Sequence, residues 1–289
     1  MALKRWIAGS LMLACILCGC GTQQVETGQA DSAGSGDPQA VQDTGSAALD
    51  DTDGDAAVDD ELVDPPLGED AVSEDVAQLP LSGLVICLDP GHGITSASRQ
   101  EAVSPLSSET KAAYVSGAVG NSQTEEALNL AVAEMTRGEL EALGAQVVMT
   151  RQTNEATVSN IERAQIANAA GADLCIRIHA DGSEDSSVYG MSMQVPAGSL
   201  LGTPSIEAPS AQAAEMILQA VTEATGARNR GLAQRSDLTG FNWSEVPCIL
   251  LEMGFLSNAE EDARLAQTEY RQQIAAGIAE GVCRWVRAR

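Results

Sequence analysis

The chain has 289 residues, which is enough for one sizeable domain with appendages or for two small domains. It carries 41 acidic against 16 basic residues, a formal net charge of -25 at pH 7. Such an acidic balance argues against a nucleic-acid partner, whose phosphates need a basic surface.

The first twenty residues are typical of an export signal. Lys4 and Arg5 form a short positive region, a largely apolar run follows, and the segment LCGC then matches the lipobox of bacterial lipoproteins. We therefore predict a lipoprotein signal peptide over residues 1–19. A lipid on Cys20 would then anchor the protein to the cell membrane on its extracytoplasmic side. The alternatives are a soluble signal peptide cleaved near Gly19, which would give a secreted protein, and a retained membrane anchor.

An acidic stretch follows the predicted signal. Residues 21–80 contain sixteen Asp and Glu and no Lys or Arg, together with many Gly, Ser, Ala and Gln. The stretch has no apolar period that would bury one face, and its like charges repel one another. We predict a disordered acidic linker over residues 20–81, which would hold a folded domain away from the membrane.

The remainder, residues 82–289, is predicted to form one catalytic domain in which strands alternate with helices. The predicted strands are 84–88, 146–150, 174–178, 190–195 and 248–251, and the predicted helices are 125–143, 160–170, 210–225 and 270–286. This alternation indicates an α/β fold of three layers, with a mostly parallel central sheet covered by helices on both faces. Two long irregular stretches, 94–123 and 226–246, are candidates for a substrate groove.

Four cysteines belong to the predicted domain, and three of them lie inside apolar, strand-like runs. They are Cys87, Cys175, Cys248 and Cys283. No two of these four form a CxxC pair, which argues against a cysteine zinc site. Buried free thiols are the expected state, although a disulfide is an alternative outside the cytosol.

The chain has only two histidines, and each follows an apolar strand run directly. His92 ends the segment VICLDPGH, and His179 ends LCIRIH. The carboxyl ends of parallel strands meet at one edge of a sheet, where ligands bind. Two imidazoles at that edge are able to reach one metal ion; the alternative is two unrelated surface or capping histidines.

Two carboxylates fall where such a site needs them. Glu125 begins a predicted helix after the loop that follows His92, although acids are common there for reasons of the helix dipole alone. Glu252 ends the apolar run CILLE, where burial is costly unless the carboxylate is hydrogen-bonded, paired or bound to a metal. Two histidines and one glutamate holding zinc, with one position open for water, form a known catalytic set. A second, unligated glutamate is then able to move the water's proton.

Six segments occur in the order found in one known family. They are LDPGHG at 88–93, ExxLNL at 125–130, MTR at 149–151, RxxxAN at 163–168, IHAD at 178–181 and LEMGFLSN at 251–258. In these segments, over roughly residues 84–285, the chain resembles the zinc-dependent N-acetylmuramoyl-L-alanine amidases of the type 3 catalytic domain. The resemblance implies a bacterial cell-wall hydrolase that acts on peptidoglycan.

The resemblance also implies roles for individual residues. His92, Glu125 and His179 would bind Zn²⁺, and Glu252 would be the catalytic general base and acid. The implied reaction hydrolyses the amide between N-acetylmuramic acid and L-alanine, with a zinc-bound water as nucleophile. Glu126 is an alternative to Glu125 as the ligand, although the spacing of the family favours Glu125.

The chain departs from the family pattern at several places. Arg177 stands where the family often has Ser, Asp181 stands where Asn is usual, and the stretch between Ile94 and Thr124 is long. Two other functions remain open at this point: a zinc peptidase that cuts within the stem peptide, and a non-catalytic wall-binding lipoprotein.

The remaining polar candidates are weaker. Arg151 and Arg163 are expected to bind local acids or carbonyls rather than substrate. Arg230, Asn242 and Trp243 precede Glu252 in the chain and are candidates for the lining of the substrate groove.

Overall fold

The computed structural model describes residues 78–289. The predicted signal peptide, Cys20 and nearly all of the predicted linker lie outside the described residues. None of the helices between residues 78 and 289 is both long enough and apolar enough to cross a membrane.

The described chain alternates strands and helices, as the sequence predicts. The strands are β1 (Val85–Pro90), β2 (Gln100–Ala102), β3 (Thr110–Ala112), β4 (Gln146–Met149), β5 (Leu174–Asp181), β6 (Met191–Pro196), β7 (Asn229–Arg235) and β8 (Cys248–Phe255). The helices are α1 (Glu125–Ala142), α2 (Asn160–Ala169), α3 (Glu207–Thr225), α4 (Thr239–Asn242), α5 (Ala259–Leu265) and α6 (Thr268–Arg287), with a short 3-10 turn at Pro204–Ile206.

Six strands form one sheet in the order β4-β1-β5-β8-β6-β7. Every neighbouring pair is parallel except β6 and β8, which are antiparallel. The runs that form β5 and β8 are rich in apolar residues because both strands lie in the middle of the sheet, and β8 is buried along its whole length. The prediction of a mostly parallel sheet is confirmed.

The two faces of the sheet are covered unequally. The larger core joins one face to the apolar sides of α1, α3 and α6, with Leu128, Ile217 and Ile278 among its buried members. The smaller core joins the other face to α2 and α4 through Ala167 and Phe241. The predicted three-layer α/β arrangement is therefore confirmed, and the thinly covered face has room for a cleft.

Both stretches predicted to be irregular contain short regular elements. The stretch 94–123 holds the antiparallel pair β2 and β3, and 226–246 holds β7 and α4. These elements carry little apolar pattern, because β2 and β3 have three residues each and β7 is an exposed edge strand. Periodicity fails to detect strands that bury no face.

The start of α3 also differs from the prediction. Ser210 is not the helix cap, because the helix begins three residues earlier, at Glu207. Ser210 lies buried inside the helix, and its hydroxyl oxygen accepts a hydrogen bond of 2.9 Å from the backbone N–H of Cys248. The predicted end at Gly226 is confirmed, and this glycine adopts a left-handed conformation with φ of 66°.

The four cysteines of the described chain are buried free thiols, as predicted. Cys87, Cys175 and Cys248 lie side by side in the register of β1, β5 and β8 and belong to the smaller core.

Candidate functional site

The candidate site lies at the carboxyl edge of the sheet, where β1, β5 and β8 end beside one another. In the register of β5 and β8, His179 is the direct neighbour of Glu252. His92 follows the end of β1 by two residues. All three side chains line a cleft of about 500 Å³ on the thinly covered side of the sheet.

Gly91, directly before His92, has no room for a side chain. A Cβ added at Gly91 would lie 2.1 Å from Cε1 of His179, so only glycine lets the two histidine segments approach so closely. His92 itself has φ of 60° and is the only non-glycine residue between 78 and 289 with a positive φ. A strained backbone of this kind persists only where surrounding contacts enforce it, and it is common at functional sites.

Glu125 joins the two histidines. Its Oε1 lies 3.1 Å from Nε2 of His92 and 3.0 Å from Nδ1 of His179. Its other oxygen, Oε2, accepts a hydrogen bond of 2.7 Å from the backbone N–H of Ala118. One ligand atom from each of the three side chains lies within 4.8 Å of the others, so the group is able to hold a metal ion. The structure thus brings Glu125, not Glu126, to the histidines.

Hydrogen bonds orient the first histidine for such a role. Nδ1 of His92 lies 2.7 Å from the carbonyl oxygen of Val115, which can only accept. Nδ1 therefore carries the proton in the neutral ring and Nε2 has a lone pair, whereas in the protonated ring Nε2 donates to Oε1 of Glu125. Nε2 of His179 is buried without a hydrogen-bond partner among the described residues. Nδ1 of the same ring lies beside the Glu125 carboxylate, so His179 fits a metal-binding donor set together with Glu125 and His92.

The charges of this trio depend strongly on one another. Burial alone would raise the pKa of Glu125, but its hydrogen bonds to His179 and His92 hold that pKa well below its usual range. Burial lowers the pKa of His179 to about 4, against the opposing pull of Glu125. His92 is also partly buried, but the hydrogen bond and charge of Glu125 raise its pKa. A neutral His179 retains the lone pair that a metal ligand needs.

Glu252 is a carboxylate of a different kind. It is 7% exposed, and its Oε1 accepts one hydrogen bond of 3.0 Å from Nε2 of Gln194. Its Oε2 is buried and has no hydrogen-bond partner among the described residues. Burial, together with the negative charges of Asp181 and Glu125, raises the pKa of Glu252 well above its ordinary value. A carboxyl group in this state binds a proton more tightly than an ordinary glutamate does.

A second polar cluster beside the cleft does not follow from the motifs. Asp89 is 1% exposed and binds two arginines: Oδ1 lies 2.6 Å from Nη1 of Arg163, and Oδ2 lies 2.7 Å from Nε of Arg177. Thr150 donates a third hydrogen bond, of 2.6 Å, to Oδ1. Arg177 lines the cleft from within this cluster. The sequence analysis did not predict this cluster: it noted Arg177 only as a departure from the family pattern, and Asp89 and Thr150 only as members of the six segments.

Arg151 and Arg163, predicted from the sequence to bind local acceptors, do so in the structure. Arg151 donates to the carbonyl oxygens of Pro90, Gly91 and Glu126, and Arg163 donates to those of Pro90 and His92, in addition to Asp89. Both arginines bind local acceptors, as predicted, and so fix the backbone that carries His92.

The candidates on the loop before Glu252 do not line the cleft. Asn242 is buried and donates to the carbonyl oxygens of Val103 and Ser236. Trp243 donates to the carbonyl oxygen of Ala102, and Arg230 donates to that of Tyr189. None of these three residues lines the cleft that contains His92 and Glu252, so the prediction that they line the groove is wrong for this cleft.

Fold and site together define an α/β protein whose sheet edge carries two histidines and a glutamate able to hold a metal ion, beside a buried carboxylate. A family model described as N-acetylmuramoyl-L-alanine amidase matches residues 86–284, more than half of the chain. The chain belongs to this family of enzymes, and the resemblance seen in the sequence is confirmed.

Individual relatives agree with this assignment. The chain is 31% identical over 220 residues to N-acetylmuramoyl-L-alanine amidase LytC of Bacillus subtilis, in a match that covers 75% of this chain but 39% of LytC. It is 30% identical over 210 residues to N-acetylmuramoyl-L-alanine amidase Rv3717 of Mycobacterium tuberculosis, covering 70% of this chain and 86% of the relative. The crystal structure of N-acetylmuramyl-L-alanine amidase Ami1 from Mycobacterium smegmatis superimposes with a TM-score of 0.66 at 27% identity. That superposition covers 72% of this chain and 99% of Ami1.

Proposed function

We propose that this protein hydrolyses the amide bond between N-acetylmuramic acid and L-alanine in peptidoglycan, with Zn²⁺ held by His92, Glu125 and His179. One observation carries the proposal. Three side chains able to bind a metal converge within 4.8 Å at a cleft where the buried Oε2 of Glu252 has no hydrogen-bond partner in residues 78–289. The names of the relatives supply the substrate.

The donor set suits zinc. Zinc favours imidazole nitrogen and carboxylate oxygen, and its catalytic sites use three protein ligands with a fourth position open, as two histidines and a glutamate provide here. When bound, the ion supplies Lewis-acid polarisation of the scissile carbonyl and lowers the pKa of water beside it. The carbonyl oxygen of Val115 keeps His92 in the tautomer that presents Nε2 to the ion.

Glu252 moves the proton in the proposed mechanism. As a carboxylate it accepts a proton at Oε2 from the water that attacks the lactyl carbonyl carbon. It then returns that proton to the nitrogen of L-alanine as the carbon–nitrogen bond breaks, so that a carboxylic acid and a free amine are formed. Burial and the charges of Asp181 and Glu125 support this role, because they raise the pKa of Glu252 and so make the carboxylate a stronger base.

The proposed location is the extracytoplasmic side of the cell membrane. The LCGC segment supports a lipid anchor on Cys20 after removal of residues 1–19, and the acidic composition of residues 20–81 supports a linker. In this arrangement the catalytic domain, residues 82–289, would reach peptidoglycan from the membrane. Replacement of Cys20 by Ala should move the protein from the membrane fraction to the soluble fraction, and unchanged fractionation would refute the anchor.

The central experiment compares the full chain with its Glu252→Gln variant on purified peptidoglycan. The unmodified protein should bind about one equivalent of zinc and release new N-terminal L-alanine. The variant should bind zinc equally but react about 10² to 10⁴ times more slowly, which is the usual contribution of general acid–base catalysis. Zinc content is measured by elemental analysis, and new amino termini by end-group labelling.

Other outcomes would identify other functions. New amino termini on stem-peptide residues other than L-alanine would show a zinc peptidase. Folded, zinc-free protein that binds peptidoglycan without releasing any amine would show a wall-binding lipoprotein. Zinc binding that survives replacement of His179 by Ala with unchanged affinity would refute the proposed ligand set.

A further inference from the structure

The neighbouring strands β8, β6 and β7 place Glu252, Gln194 and Arg235 in a line at the cleft. The antiparallel pairing of β6 with β8 sets Ser192 opposite Glu252, so Gln194, two residues further along β6, lies diagonal to Glu252 on the same face. The parallel pairing of β6 with β7 sets Pro196 opposite Arg235, which makes Arg235 diagonal to Gln194. All three side chains line the cleft.

Hydrogen bonds connect this line from end to end. Nε2 of Gln194 donates to Oε1 of Glu252 at 3.0 Å, and Nη1 of Arg235 donates to Oε1 of Gln194 at 2.8 Å. The remaining donors of the Arg235 fork, Nε and Nη2, each bind one oxygen of Asp237 at 2.8 Å. The guanidinium is therefore held in place by both oxygens of a carboxylate.

The donor and the acceptor in each of these hydrogen bonds follow from the guanidinium of Arg235. A guanidinium can only donate, so it requires the oxygen of the Gln194 amide, and the NH₂ group of that amide must then face Glu252. The opposite orientation would place NH₂ against guanidinium and oxygen against carboxylate. Arg235 thus ensures that Glu252 meets a donor at Oε1, which favours its ionised form and leaves the proton to Oε2.

We propose that Gln194, held by Arg235, is a positioning residue that fixes the carboxylate of Glu252 so that Oε2 is the oxygen that accepts and returns the proton. The inference rests on the proposed amidase function. The bond from Gln194 is the only side-chain hydrogen bond that Glu252 makes among the described residues, so no other hydrogen bond there fixes the rotation of this carboxylate. A catalytic group that rotates freely loses the alignment that proton transfer requires.

The test replaces Gln194 by Met in the full, zinc-loaded chain. Methionine has nearly the same length but forms neither hydrogen bond. We expect kcat on a soluble muramyl peptide to fall about 10- to 100-fold, with KM changed less than about twofold, because alignment is lost and binding is not. The matched control is Gln219→Met, which breaks an amide–carboxylate bond of 2.8 Å to Glu223 on the exposed side of α3 and should leave kcat unchanged.

Variants of Arg235 test whether Arg235 acts on Glu252 through Gln194. Arg235→Met should lower kcat in the same direction, and Arg235→Lys, which keeps a donor, should restore part of the loss. The double variant Gln194→Met, Arg235→Met should be no slower than Gln194→Met alone, because residues that act through one another are not additive. If Gln194→Met fails to fold, Gln194→Glu keeps the shape and the acceptor for Arg235, removes the donor to Glu252, and should still lose kcat.

Each outcome is informative about one proposal. A zinc-loaded Gln194→Met protein with wild-type kcat, or full additivity with Arg235→Met, would overturn the positioning role. Inactivity of the unmodified protein on every muramyl peptide would instead reject the proposed function. A crystal structure of Gln194→Met gives an independent readout, and we expect the Glu252 carboxylate in more than one rotamer.

Discussion

Two buried carboxylates at the same edge of the sheet behave in opposite ways. Asp89, at the end of β1, is 1% exposed, and its two oxygens bind Arg163, Arg177 and Thr150. Glu252, in β8, is nearly as buried, but within the described part of the chain only its Oε1 has a hydrogen-bond partner. Burial would raise the pKa of both, yet the arginines hold that of Asp89 well below its usual range, whereas that of Glu252 stays well above its own.

This difference assigns the two carboxylates different roles: Asp89 stabilises the fold, whereas Glu252 is left able to exchange a proton. A buried charge whose hydrogen bonds are all satisfied holds its neighbours in fixed positions. Arg163, which binds Asp89, also donates a hydrogen bond to the carbonyl oxygen of His92 and so fixes that residue too. A buried carboxyl with one free oxygen is costly to ionise, and it retains the capacity to exchange a proton. The contrast predicts that removing the two charges changes the free energy of unfolding in opposite directions.

Replacement of Asp89 by Asn should have the largest effect. It leaves Arg163 and Arg177 buried without a counter-charge, which should lower the free energy of unfolding by about 3–5 kcal/mol, as measured by urea unfolding. The pKa of Asp89 is lowered in the fold, so its stabilisation is complete above the pKa of an unfolded aspartate, near ~4, and is lost as pH falls below it. The two proteins should therefore converge in stability as the solution is acidified.

The exposed Asp185 provides the control for this comparison. Its carboxylate accepts hydrogen bonds from the nearby Ser187, so Asp185→Asn should change the free energy of unfolding by less than about 0.5 kcal/mol. A loss at Asp89 as small as the loss at Asp185 would show that the buried cluster contributes nothing to stability.

A smaller effect should follow from crowding the same cluster at Gly240. A Cβ added there would lie 2.1 Å from Nη1 of Arg177, whose position Asp89 fixes. Gly240→Ala should therefore cost about 1–3 kcal/mol, the usual penalty of overpacking. Gly138→Ala is the matched control in α1, where nothing lies within 4 Å of the added methyl, and it should raise stability by about 0.5–1 kcal/mol. Equal effects at the two glycines would contradict a rigid Arg177.

Apolar periodicity and glycine stops predicted most of the domain. The buried strands and the amphipathic helices follow directly from them, because each of these elements must bury one face or both. The edge strand β7 and the pair β2–β3 did not follow, since they are exposed and polar. The antiparallel direction of β6 also cannot be read from a local pattern, because a strand has the same alternation in either direction.

Part of the site could likewise be predicted from the sequence, and part could not. His92, His179 and Glu252 were placed at the sheet edge because each follows or ends an apolar run, and the structure does bring them together. The partners of these residues depend on register between strands that are distant in sequence. Gln194 and Arg235 meet Glu252 only through the pairing of β6 with β7 and β8, so sequence analysis overlooked both.

The last prediction concerns the stability cost of the free carboxylate. Replacement of Glu252 by Gln keeps the shape and removes the buried charge, so it should raise the free energy of unfolding of the metal-free protein by about 1 kcal/mol at pH 7. The pKa of Glu252 is raised in the fold, so the wild type loses stability as pH rises above the pKa of an unfolded glutamate, about 4.3. The gain should therefore vanish near pH 4 and grow toward pH 7.

The measurement is urea unfolding of both proteins in a chelating buffer at several pH values, with the exposed Glu245→Gln as control. That control should change stability by less than about 0.5 kcal/mol at every pH, because Glu245 is exposed and water solvates its charge in both states. A Glu252→Gln protein less stable than the wild type at pH 7 would show that Glu252 supports the fold in the way Asp89 does. A gain in stability together with a loss of amidase activity would instead show that the domain maintains an unfavourable buried carboxyl because the reaction requires it.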